Sequence, residues 1–244
     1  MALLRVEYAS KVLKMDTDFQ VFLPDTGGLS EAKVVYLLHG LTDNCTAWTR
    51  YSFCERYARE RNVALVMPEV QRSFYIDGVY GLDYFTYVAE ELPQVCQRMF
   101  SLSADRKQNY VMGLSMGGFG ALKCALTFPQ RYAGCGSFSG VTDLERYLTL
   151  PSVSMQKKEL TALLGAAHTI GSENDLAALA AKAGPVPQLY LSCGEQDDLY
   201  EMNNRFSKHL TRLNIPHRYD HRVGNHSWLF WDQSIQDCFA YLGL

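Results

Sequence analysis

Apolar positions along this 244-residue chain fall into short runs of two kinds. In "FQVFLP" (residues 19–24) they alternate with polar ones, the period of a strand buried on one face. "KVVYLLHG" (residues 33–40) is almost continuously apolar, the pattern of a strand covered on both faces. Strand-like runs return at 63–68, 109–113, 134–140, 187–194 and 217–223, with helical spacing between them near 52–61, 84–100, 116–128, 201–213 and 228–241. This alternation predicts an α/β fold: a mostly parallel central sheet with helices on both faces and an outer antiparallel strand at 19–24. The span 141–184 departs from the pattern. It is polar, broken by Pro151 and Gly165, and ends in "DLAALAAKAG", so it reads as a small cap-like helical excursion over the carboxyl edge of the sheet. With no repeat or linker in view, residues 1–244 are expected to form one domain.

Charge changes this picture little. The formal net charge is −3, and no basic run or basic helix face occurs, so neither nucleic acid nor an anionic membrane is an expected partner. The N-terminal "MALLRVEYASKVLK" lacks the regions of a secretory leader, and no apolar run reaches membrane-span length. Seven cysteines (Cys45, Cys54, Cys96, Cys124, Cys135, Cys193 and Cys238) show no paired spacing. They suit buried, reduced thiols, and a cytoplasmic location is expected. The sequence sets no oligomeric state and leaves a homo-oligomer open.

The candidate chemistry lies in "YVMGLSMGGFGALKCAL" (residues 110–126). A G-x-S-x-G match arises by chance in about one chain of this length in ten, so its context has to carry the argument. Here Gly113 to Gly117 follow a strand and open a helix, the setting in which a serine is held in a strained, exposed turn. Ser115 is therefore the candidate nucleophile, with room for the turn supplied by Gly113 and Gly117. A serine needs a base to take its proton, and the base needs an acid to fix its tautomer. Asp197 and Asp198 follow the strand ending at Gly194, with Glu195 a more remote third acid, and His226 follows the strand ending at Val223. The order Ser, Asp, His and the position of each past a strand's carboxyl end suit a site at that edge of an α/β sheet. The other histidines compete poorly: His39 ends a core strand, His209 and His217 lie on or beside a helix, His168 falls in the excursion and His221 lies within the last strand. An oxyanion would be met by the amide of Met116 and by one from "HGLTDN", where Gly40 and Leu41 follow the first core strand.

Five segments, "YLLHGLTDNCTAW", "GLDYFTYVAEELPQ", "VMGLSMGGFGAL", "SCGEQDDLY" and "GNHSWLFWD", resemble the esterase D family of serine esterases over most of the chain. The resemblance implies an α/β-hydrolase fold and a serine carboxylesterase acting on a small-molecule ester through an acyl-enzyme. It places the nucleophile on Ser115, the acid on Asp197, the base on His226 and the oxyanion donors on Leu41 and Met116. That family includes S-formylglutathione hydrolases, tributyrin esterases, acetyl and feruloyl esterases and, more distantly, mycolyltransferases. Its S-formylglutathione hydrolases usually carry histidine before the nucleophile. Leu114 stands there instead, so the resemblance favours the tributyrin esterase branch and short acyl chains. A thioesterase of the S-formylglutathione hydrolase type, or an acyltransferase using the same triad, is the alternative.

Trp48, Trp228 and Trp231 lie close enough in sequence to the oxyanion loop or the candidate base to line a cleft, although Trp228 and Trp231 also read as packing aromatics. Gly40, Trp48 and Trp228 are the candidate substrate contacts. The histidine and cysteine spacings suggest no metal site. No dinucleotide fingerprint or phosphate loop occurs, so no cofactor is expected.

Overall fold

The computed structural model of the protein describes residues 1–153, 155–165 and 173–244; His168 and part of the excursion lie outside them. Among the described residues eight strands form one sheet: β1 (Ala2–Ser10), β2 (Met15–Leu23), β3 (Lys33–Leu38), β4 (Val63–Pro68), β5 (Asn109–Leu114), β6 (Gly134–Phe138), β7 (Gln188–Gly194) and β8 (His217–Arg222). Their order is β1-β2-β4-β3-β5-β6-β7-β8. Only β2 runs antiparallel to its neighbours, pairing with β1 and β4; every other pair is parallel. The carboxyl ends of β3, β5, β6, β7 and β8 therefore share one edge.

The continuous apolar run of β3 has a direct cause. Val34, Tyr36 and Leu38 face one core layer while Val35 and Leu37 face the other, so no position is left for a polar side chain. The second layer is closed by α1 (Ala47–Tyr51) and α2 (Cys54–Arg59) with the C-terminal helix, Trp228–Leu242. The first is closed by α3 (Tyr84–Thr86) and the turns that follow it, by α5 (Met116–Thr127) and by α9 (Tyr200–Arg212). Three short helices make up the described part of the excursion: α6 (Leu144–Tyr147), α7 (Lys157–Leu164) and α8 (Leu176–Lys182). Its apolar side chains Met155, Leu164, Leu176 and Ala180 are buried in the same core.

Two expected helices differ from their expectation. The one near 52–61 is the shorter α2, preceded by the separate helix α1, and Asp232 accepts the Phe53 amide (2.8 Å) and the Tyr57 hydroxyl (2.8 Å) at the junction of the two. The one at 84–100 widens into a π turn over Tyr87–Glu91 before α4 (Leu92–Phe100). Pro93 has no N–H for the carbonyl of Ala89, and Arg131 Nη1 donates to that carbonyl instead, at 2.6 Å. The strand β1 is an addition to the expected set. It pairs along its whole length with β2 and is tied down where Ser10 Oγ and the Lys11 amide donate to Glu91. All seven cysteines are buried and unpaired. Burial pushes the thiols of Cys54, Cys96 and Cys124 up to about 12, which leaves them inert near neutral pH.

Lys123 is an unusual core residue. It lies on the nucleophile's helix, 3% exposed, donating to the Tyr75 carbonyl (3.2 Å) and to Asn174 Oδ1 (2.7 Å), with its ammonium 4.0 Å from the centroid of the Phe85 ring. Burial pulls it from the ordinary 10.5 down to about 8. Because the folded-state value is the lower one, the stability linked to this group is fully present above 10.5 and is lost as pH falls through about 8. Relative to Lys123→Met, the unfolding free energy of the natural protein should therefore rise by about 3 kcal/mol between those pH values. Paired urea titrations check this, and a constant difference would contradict it.

Candidate active site

Ser115 occupies the turn from β5 into α5 with φ 53° and ψ −118°. For a residue with a side chain this conformation costs about 1–3 kcal/mol and persists only where its surroundings impose it. Here the Ser115 amide donates to the Phe138 carbonyl (2.9 Å), and the Ser115 carbonyl accepts from the amides of Phe119 and Val141 (3.2 Å each). The flanking glycines are required by close approach. A Cβ on Gly113 would stand 2.4 Å from the Gly117 carbonyl oxygen, and one on Gly117 would stand 2.4 Å from that of Leu38.

The loops after β7 and β8 are tied to each other. The amides of Glu195 and Gln196 donate to the carbonyls of Arg222 and Gly224, both at 2.9 Å, and the Gly224 amide returns a bond to Gln196 Oε1 at 2.6 Å. This clasp brings Asp197 beside His226. Asp197 Oδ2 lies 2.9 Å from His226 Nδ1, Asp197 Oδ1 accepts the Leu199 amide at 2.9 Å, and His226 Nε2 lies 3.0 Å from Ser115 Oγ. The Asp197 side chain is fully buried. Burial alone would raise its carboxyl, but the His226 ring and the Leu199 amide outweigh that and hold it below the ordinary range. A carboxylate accepting at Nδ1 fixes the tautomer that leaves Nε2 free to take a proton from Ser115. Of the competing acids, Asp198 points to solvent and Glu195 is committed to His221, 2.9 Å away.

The amides of Leu41 and Met116 make no hydrogen bond among the described residues. Met116 is the first residue of α5, where free N–H groups and the helix dipole favour negative charge. The Leu41 amide is set by a residue whose role the sequence leaves unread. His39 is buried and pulled below its usual range by that burial; its Nδ1 lies 2.8 Å from the Gly40 carbonyl, and its Nε2 accepts the Val70 amide at 3.2 Å. Holding the Gly40 carbonyl on one side turns the N–H of the same trans peptide, that of Leu41, to the other. The Tyr75 hydroxyl then braces the His39 carbonyl at 3.0 Å. The one signal for this in the sequence is the position of His39, immediately before Gly40.

Ser115, His226, Asp197 and Leu41 line a cleft of about 430 Å³. Gly40 borders it, and a Cβ there would press on the side-chain ends Leu114 Cδ1 at 2.7 Å and Asp43 Oδ2 at 2.9 Å, which would have to move aside. Trp228 borders it too. The expectation for Trp48 is corrected: it is 1% exposed, donates Nε1 to the Leu38 carbonyl at 3.0 Å and packs edge-on beneath Trp228 at 5.1 Å, outside the cleft lining. Trp231 does line the cleft, edge-to-face with the His226 ring at 4.8 Å. The sequence also leaves unread the contributions of Asp43 and, from the excursion, Tyr147 and Ser152. Among the described residues no cluster of three or more His, Cys, Asp or Glu side chains could hold a metal ion, and no helix is long and apolar enough to cross a membrane.

Comparison with known proteins gives this arrangement relatives. A family model described as "Putative esterase" matches residues 10–242. FphF, a fluorophosphonate-binding serine hydrolase of Staphylococcus aureus solved with substrate bound, is 31% identical; the match covers 99% of this chain and 98% of that one, with a TM-score of 0.90. The S-formylglutathione hydrolase FrmB of Staphylococcus aureus, solved as the apoenzyme, matches at 31% identity over the same shares, with a TM-score of 0.89. An acetyl esterase of Caldicellulosiruptor saccharolyticus is 27% identical over 264 residues, covering 99% of this chain and 98% of its own.

Proposed function

Because the chain belongs to this esterase family and is a serine carboxylic ester hydrolase of the α/β-hydrolase fold, we propose that it cleaves short-chain acyl esters through an acyl-enzyme on Ser115. His226 takes the Ser115 proton as Oγ attacks the ester carbonyl, and the oxyanion is met by the amides of Leu41 and Met116. His226 then passes that proton to the departing alcohol. A water molecule, deprotonated by the same imidazole, releases the acid and restores the serine. Asp197 keeps the imidazole in the required tautomer. The observation that carries this reading is the unbroken chain from Ser115 Oγ through His226 to Asp197 at 3.0 and 2.9 Å, beside two amides with no acceptor among the described residues.

Three features support the short acyl chain and the tributyrin or acetyl esterase branch: the modest cleft volume, Leu114 in place of histidine before the nucleophile, and an excursion whose apolar side chains Met155, Leu164, Leu176 and Ala180 are turned into the core. No wide apolar lid of the kind needed to dock on a lipid surface is left among the described residues. Each methylene of the acyl group adds about 0.8 kcal/mol only where a pocket receives it. In a nitrophenyl ester series from acetate to palmitate, kcat/KM should therefore peak at short chains and fall beyond them, with no effect of a chelator. A steady rise toward palmitate would overturn the short-chain reading. The S-formylglutathione hydrolase among the solved relatives makes thioester hydrolysis the second reading, and S-formylglutathione belongs in the same assay.

A further inference from the structure

Resting on the esterase reading, we infer that the cleft selects its ester by charge, favouring a cationic alcohol or amine-bearing leaving group and disfavouring an anionic one. The side chains around Ser115 are unbalanced in sign. Asp43 and Asp198 line the cleft in addition to the buried Asp197, and among the described residues no lysine or arginine does. Asp197 is buried and spent on the His226 ring, to which it is hydrogen-bonded at 2.9 Å. The other two have no cationic side-chain partner: Asp198 is exposed with no hydrogen bond or ion pair among the described residues, and Asp43 accepts the Gly40 amide at 3.2 Å. Asp43 sits on the oxyanion loop near His39 and His226, and burial holds its carboxyl above the ordinary range, a push that those rings only partly offset. Between these carboxylates the wall is aromatic, formed by Trp228, Trp231 and Tyr147, a surface that accepts cations as readily as apolar groups.

The cleft is a substrate site because of its nucleophile and free amides; the carboxylates set its sign. A concave, poorly solvated surface of one charge raises the encounter rate of an opposite charge by about 10- to 1,000-fold and repels a like one. A thioester of glutathione leaves with two carboxylates and one ammonium, a net anion, and meets the unfavourable sign. This supplies a physical reason, independent of Leu114, for S-formylglutathione to be a poor substrate here.

The test uses three acetate esters of one shape: the choline ester, its uncharged isostere with tert-butyl in place of trimethylammonium, and an anionic analogue in which one methyl of that tert-butyl group is a carboxylate. At low ionic strength kcat/KM should fall from cationic to neutral to anionic by about tenfold at each step, and high salt should compress the order as screening shortens the reach of the carboxylates. Asp198→Asn should shrink the cationic-to-neutral ratio while Asp198→Glu preserves it, a rescue that tracks charge and not shape. Equal kcat/KM for the three esters, or an order that survives both Asp198→Asn and Asp43→Asn, would overturn the inference while leaving the esterase intact. Failure of all three esters would overturn the esterase reading and this one with it.

Discussion

Replacing Ser115 with alanine is expected to lower kcat on an acetyl ester by about a million-fold, the scale on which removal of the nucleophile acts in serine hydrolases. The protein should remain folded with little change in melting temperature. The Ser115 hydroxyl makes one hydrogen bond, to His226, and supports no core packing, whereas the strained backbone of the turn is held by main-chain bonds that alanine keeps. The strain itself is shared by both residues, so it does not separate the variants. Stopped-flow turnover and thermal unfolding on the same preparation check both halves, and substantial turnover by the alanine variant would place the nucleophile elsewhere.

Asp197→Asn is expected to cost about ten-thousand-fold in kcat. An amide in this position can present its NH₂ to Nδ1, which stabilises the tautomer with the proton on Nε2, the nitrogen that must accept the serine proton. The Leu199 amide stays satisfied by the Asn oxygen, so the geometry survives and the loss reports the tautomer. Asp198→Asn on an uncharged ester should cost far less, since that side chain does not reach the imidazole. Comparing the two variants decides which acid serves His226, and a larger loss at Asp198 would reverse the assignment.

The sheet was legible because β4 and β5 are short runs with every position buried, set between turn residues and alternating with longer helical segments. The first strand was harder to read. Leu4, Val6 and Tyr8 alternate with Arg5, Glu7 and Ala9, but β1 is an edge strand and those three positions are only half-buried, so its apolar signal is weak. The π turn before α4 is completed by Arg131, a partner distant in sequence that no local pattern reveals. At the site, motif and order pointed to Ser115 and His226, but among Asp197, Asp198 and Glu195 only the family resemblance singled out Asp197, the acid that the structure sets against the imidazole. Trp48 was misplaced for a different reason. Aromatic side chains serve packing and binding equally well, and only the position of Trp228 above it shows that it forms the layer beneath the cleft wall. His39 acts through a peptide orientation, for which its place before Gly40 is the one sequence signal, and whether Asp43 faces the cleft is a matter of side-chain direction that the sequence does not encode locally.

The central claim is that turnover passes through a covalent ester on Ser115. The most direct measurement is mass spectrometry of the protein quenched during steady turnover of a nitrophenyl acetate, followed by peptide mapping. One acetyl group on the peptide carrying Ser115, absent from the alanine variant, is the predicted result. Sustained turnover with no acyl group on the protein, or with the acyl group on another residue, would contradict it.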